Sequence, residues 1–216
     1  MRVFVEVGNK RVFASALDWP GWCRSARTED LALATLAAYL DRYARVARSA
    51  RVDFPVWTDS SFVVVERAPG RGHTDFGVPG ETASAESQPT TPEQAERLAT
   101  LVAAAWVVFD EVAAVAPAEL RKGPRGGGRD RDQVVDHVLA ADTAYARNLG
   151  LKHRQPARGD EAAIATLRQD MLAALGKPSD GSPLSPRGWR PRYAARRIAW
   201  HALDHAWEIE DRAWAP

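Results

Sequence analysis

Residues 191–213 read PRYAARRIAWHALDHAWEIEDRA, and this stretch decides what the second half of the chain must be. A proline at its start suits the first turn of a helix, where its missing N–H costs nothing. Ala194, Ile198, His201, His205, Glu208 and Ile209 then share one stripe at helical spacing, the stripe that must face a core. His201 and His205 are one turn apart, so their imidazoles leave the helix in the same direction. An earlier segment has the same character: Val134, His137, Val138, Ala141 and Tyr145 share a face behind an Asp130-x-x-Gln133 start signal. An inward imidazole needs a partner. Two from one helix and a third from a facing helix can bind a divalent metal and leave coordination positions open.

Outward from these two segments the pattern stays helical. Thr91-Pro92-Glu93-Gln94 is a capping box opening a helix to about Ala116. A second runs from Asp130 to near Gly150, a third spans Asp160–Leu175 before Gly176 and Pro178, and the fourth is 191–213. Short breaks between amphipathic helices predict an antiparallel four-helix bundle over 91–216. Residues 69–90 are rich in Gly, Pro, Ser and Thr and read as a linker or long loop. Residues 1–68 carry the strands. Val3, Val5 and Val7 alternate with Arg2, Phe4 and Glu6, Gly8-Asn9 supplies a turn, and Arg11–Leu17 continues as a second strand. Thr28 caps a helix bearing Leu33, Leu36, Leu40, Tyr43 and Ala47, and Phe54–Trp57 and Phe62–Glu66 return to strand composition. The expected fold is α+β, a small ββαββ sheet domain followed by the bundle.

The chain has a net charge of +1 over 216 residues, which gives no field to draw nucleic acid or a membrane surface. No apolar run approaches about 20 residues, so no membrane span is expected. Residues 1–7 alternate and carry charge, unlike a signal peptide. The single cysteine, Cys23, excludes an intramolecular disulfide and points to a reducing compartment. These features predict a cytoplasmic protein acting on a small molecule, with a homodimer left open. Arginine supplies nearly all the basic charge, with lysine only at positions 10, 122, 152 and 177, a bias typical of GC-rich coding.

Two resemblances add to this reading. Leu17-Asp18-Trp19-Pro20-Gly21-Trp22, with the order strand, strand, helix, strand, strand, resembles the turn of the HicB-like antitoxin fold. HicB proteins neutralise an RNA-cleaving partner, but no DNA-binding tail is recognisable here, and packing on the second half is the simpler role. One histidine in Val134-Val135-Asp136-His137-Val138-Leu139 and the pair in Trp200-His201-Ala202-Leu203-Asp204-His205 resemble the DinB/YfiT superfamily. That resemblance implies a divalent metal on His137, His201 and His205, zinc or nickel first and iron in one branch. It also implies a low-molecular-weight thiol (bacillithiol, mycothiol or glutathione) in transferase or isomerase chemistry, and GC-rich coding favours mycothiol.

Around the triad, Asp204 and Glu208 are the candidates to orient a histidine or act as a catalytic base. Arg196 and Arg197 are the candidates to hold a carboxylate-bearing cofactor. Two other readings stay open. The histidines can instead hydrogen-bond Asp136, Asp204 or Tyr145 and bind nothing, in a dimeric binding protein, or residues 1–68 can hold an antitoxin-like partner. Trp200 and Trp207 suit packing on the first half or a second subunit, or a wall of a substrate pocket. Cys23 reads as a small buried residue, His73 and His153 as exposed loop positions, and Gly123–Gly128 as a flexible connection.

Overall fold

Val3, Phe4 and Val5 put apolar side chains on both faces of β1 (Arg2–Val7), and all three are buried, which makes β1 a central strand. The computed structural model describes residues 1–55, 61–123 and 127–213. β2 (Val12–Ala16) pairs antiparallel with β1, and β3 (Cys23–Ala26) pairs antiparallel with β2. β4 (Val63–Pro69) lies parallel to β1 on its other side, giving the order β3-β2-β1-β4. A parallel neighbour needs a crossover, and α1 (Glu29–Ala38) and α2 (Leu40–Ser49) supply it.

The expected ββαββ order is therefore corrected to three strands, two helices and a strand. β3 escaped the pattern because Cys23-Arg24-Ser25-Ala26 has no apolar alternation, so pairing with β2 makes it a strand, not composition. The helix expected after Thr28 is present but breaks at Tyr39, whose ψ of 9° departs from helical geometry. Phe54 belongs to no strand; its ring packs with Trp19, Trp22 and Tyr43. Val56 and Trp57, the rest of that expected strand, lie outside the described residues.

Four longer helices follow: α4 (Pro92–Val115), α5 (Arg131–Asn148), α6 (Glu161–Leu175) and α7 (Pro191–Ala213), after a single-turn α3 (Gly72–Asp75). The capping box is real: Gln94 N–H donates to Thr91 Oγ1, and Thr91 N–H donates to Gln94 Oε1. α4 packs against α7, α6 and α2, and α5 packs against α7 and α6. Among the described residues α4 is the one helix long and apolar enough to cross a membrane, a run that the sequence reading passed over. Contact with three helices explains why it is apolar nearly all round.

The two halves share one core, which runs from Val3 and Trp22 through Leu36 and Tyr43 to Leu101, Val134, Leu203 and Trp207. Its seam is the Pro20-Gly21 turn. Gly21 has φ +91°, and a Cβ there would sit 2.7 Å from Leu203 Cδ1, so glycine is required both for the turn and for the approach to α7. Tyr43 donates its hydroxyl to Pro20 O at 2.8 Å, and Trp22 Nε1 donates to Leu36 O at 2.9 Å. The segment between β4 and α4 is not free of either half. It carries α3 and a 3-10 turn at Ser84–Ser87, and it presents Glu86 to Arg196 of α7.

Candidate metal centre

The α5–α7 interface brings His137 against His201 and His205. The His201 and His205 rings are 4.7 Å apart, and the His137 ring is 5.0 and 4.9 Å from them. One nitrogen from each lies within 4.8 Å of the other two, a group that could hold a metal ion. Nε2 of His201 and Nε2 of His137 are 3.2 Å apart. Ligand atoms at about 2.05 Å from a tetrahedral zinc are about 3.3 Å from each other, so this pair already has ligand spacing.

Burial favours the neutral form of two of the three imidazoles. The His137 imidazole is pushed down to about 4, first by desolvation and then by His205. His201 is lowered well below the usual histidine value, again by desolvation first and then by its two neighbours. Neutral imidazole is the form that ligates metal. The donor set therefore fits a divalent ion.

Among the described residues none of the three expected acceptors pairs with the histidines, although His201 Nε2 and His137 Nε2 lie at hydrogen-bond distance from each other. Asp204 turns to β3, where its Oδ1 accepts from Arg24 Nη1 at 2.9 Å. Asp136 lies half-exposed beside Arg158. Tyr145 meets His201 ring edge to ring at 5.6 Å, and His201 Nδ1 is buried without a hydrogen-bond partner. Only His205 has a carboxylate: its Nδ1 lies 2.8 Å from Glu208 Oε2, while Glu208 Oε1 accepts from Arg212 Nη1 at 2.7 Å. The hydrogen bond from His205 holds the Glu208 carboxyl below its usual value, so Glu208 is ionised and His205 Nδ1 is the donor. In the tautomer that donates from Nδ1, Nε2 is the nitrogen that can ligate a metal.

The two arginines marked by the sequence part company. Arg196 Nε and Nη2 donate to Glu86 at 2.6 and 3.0 Å, with both side chains 4% exposed, and Nη2 also donates to Glu81 O at 2.7 Å. It is an internal tie and is withdrawn as a cofactor contact. Arg197 lies one turn before His201 on the same stripe, with its guanidinium over Trp200 at 4.6 Å and Tyr145 at 5.7 Å. Its Nη1 is buried without a hydrogen-bond partner, and among the described residues it forms no ion pair.

Asp204, tied to Arg24, is likewise set apart from the triad, which leaves Glu208 as the acid at the site. Arg212 was missed, although its place four residues after Glu208 was a readable signal. A cavity of about 540 Å³ opens beside Glu208, lined also by Arg121, Lys122 and Arg212. Trp200 packs edge-on against Phe13 and Trp207 against Tyr39, so this aromatic stripe serves the seam with the first half. Trp189 stacks near Tyr145 and Tyr193. Cys23 is buried, its thiol pushed up to about 12 by desolvation, and it is no nucleophile. Compared with known proteins, the chain matches no family model, no curated protein and no solved structure.

Proposed function

We propose that the chain is a metal-dependent enzyme of DinB type, with α4–α7 read as an antiparallel four-helix bundle. In this reading His137, His201 and His205 hold the ion, and a low-molecular-weight thiol reacts with a small electrophile in transferase or isomerase chemistry. One observation carries it: three imidazoles converge, two of them at ligand spacing, and none of Asp136, Asp204 or Tyr145 hydrogen-bonds them. Three nitrogen donors suit zinc or nickel, with iron next. When bound, such an ion lowers the pKa of a coordinated thiol and so supplies thiolate at neutral pH.

The chain's own residues do the rest. Glu208 fixes the His205 tautomer and ring orientation, and Arg212 fixes Glu208. Glu208 also borders the cavity with Arg121, Lys122 and Arg212, whose positive charge favours an anionic reactant. Arg197, hydrogen-bonded to Tyr193 but in no ion pair among the described residues and boxed by aromatic rings, offers its guanidinium to a carboxylate of the cofactor or substrate. Tyr145 and Trp200 keep water from the inner side of the histidines, which strengthens each charge interaction there. A reducing cytoplasm and mycothiol as the thiol complete the reading, in line with the one buried cysteine and GC-rich coding.

The test is elemental analysis of protein prepared without a histidine tag, beside His137→Ala and His201→Ala. Both variants should contain one divalent ion fewer per chain than the wild type, and wild-type protein should then transfer a thiol to a model electrophile. Wild-type protein that keeps the same metal content in both variants, or takes up none after reconstitution, ends the enzymatic reading.

A further inference from the structure

A second cluster of ligating groups, separate from the triad, lies around a buried acid of β1. Glu6 of β1 is 1% exposed, under the segment that follows β4. Its Oε1 accepts from Thr74 Oγ1 at 2.5 Å and from Gly80 N–H at 3.3 Å, and its Oε2 accepts from Glu81 N–H at 2.9 Å. The His73 ring reaches the same point, with Nε2 3.7 Å from Glu6 Oε1 and 3.3 Å from Glu81 Oε1. Both His73 Nε2 and Glu81 Oε1 are sealed from solvent, and neither makes a hydrogen bond although they are neighbours. Two such atoms left facing each other need something between them.

The local chain is shaped around that ring. A Cβ on Gly80 would lie 2.4 Å from His73 Nε2, so only glycine admits the imidazole there. One ligand atom from each of Glu6, His73 and Glu81 lies within 4.8 Å of the others. Separations of 3.3 and 3.7 Å lie at and just beyond the spacing of about 3.3–3.6 Å expected around a tetrahedral ion with bonds of about 2.0–2.2 Å. We propose that Glu6, His73 and Glu81 form a second cation site, for a divalent first-row transition metal with zinc foremost. The imidazole selects against calcium and magnesium, which take oxygen ligands. Two carboxylates supply the charge that a divalent ion neutralises. The fixed cation nearest Glu81 is Arg71, at 3.3 Å, but its side chain is 78% exposed and its hold is weak in salt.

The ion clips the 70–81 segment onto β1. That segment also receives α7, because Tyr193 donates its hydroxyl to Gly80 O at 3.1 Å and Arg196 donates to Glu81 O. Zinc at this site therefore stabilises the docking of α7 on the sheet. The proposal is independent of any chemistry at the triad.

The experiment is calorimetric titration of zinc into metal-stripped, tag-free full-length chain. His137→Ala/His201→Ala, which lacks the triad, should still take up one equivalent, and its melting temperature should rise with zinc. Adding His73→Ala should weaken that uptake on the order of tenfold or more and abolish the melting shift. His73 is chosen over Glu6 because Glu6 accepts three hydrogen bonds and its loss threatens the fold. Should the triad-less variant not fold, the wild type is compared with His73→Ala alone: two equivalents falling to one supports the site. Zinc uptake that is absent without the triad, or unchanged by His73→Ala, overturns it.

Discussion

α7 has two sides, and their polar groups find different partners. Toward the N-terminal half, Arg196 meets Glu86, Asp204 meets Arg24, Trp200 meets Phe13 and Trp207 meets Tyr39. Toward α5, Arg197, His201 and His205 line up one turn apart, and the first two keep a buried nitrogen with no protein partner. Arg196 and Arg197 are adjacent in the chain, yet the helical turn of about 100° between them separates an arginine held by a carboxylate from one held by aromatic rings, and each keeps one buried Nη1 without a hydrogen-bond partner. On the proposed function, the first side holds the fold and the second carries the chemistry.

Breaking the tie should show the largest effect. Glu86→Ala leaves the Arg196 guanidinium buried and uncompensated, and it also removes the acceptor of Ala83 N–H at 2.8 Å. The expected loss is about 3–5 kcal/mol of unfolding free energy, read by urea denaturation. Arg197→Met, which swaps an unpaired buried charge for an apolar chain of similar reach, should change stability by under about 1 kcal/mol. Equal losses in the two variants would erase the distinction between the sides.

A smaller effect is expected at Glu208, the one acid that joins the α5-facing side. Glu208→Gln keeps the shape but removes the charge that anchors His205 Nδ1 and Arg212. Zinc affinity at the triad should fall about 10–100-fold, measured by chelator competition in a His73→Ala background. An unchanged affinity would mean that His205 needs no orienting carboxylate.

Much of the helical half was legible because local signals agreed with tertiary demand: Thr91 and Gln94 do cap α4, and Ala194, Ile198, His201 and Ile209 of the α7 stripe are buried. The histidine triad was legible for the same reason, as helical periodicity alone puts His201 and His205 on one face with His137 opposite. What failed to show depends on distant partners. β3 exists through its ladder with β2, and Arg196 read as a cofactor contact because its partner Glu86 lies 110 positions away. Residues 69–90 look like a linker in composition, yet they bury Thr74 and Glu86 and pin Glu6. His73 looked like a loop residue on the surface, and its ring nitrogen is sealed against a carboxylate from β1.

The last contrast is one of proton affinity, and its effect on stability is the smallest because the His137 side of the cluster is partly open to solvent. In metal-free protein, an NMR titration should place the His137 midpoint near the value of about 4 that burial imposes. An unfolded chain takes up that proton near 6.5. Between these two values the unfolded state binds more protons, so His137 and His201 make the apo protein lose stability as pH falls, and they contribute no pH dependence above about 7. Asp142, whose buried carboxyl is pushed up to about 7 by desolvation, acts in the opposite sense, because its folded state holds a proton that the unfolded chain gives up. The two trends overlap, so the measurement must follow the His137 resonances themselves and not the melting curve. A midpoint near 6.5 would show that water reaches the triad freely, and the α5-facing side would then be as solvated as any surface helix.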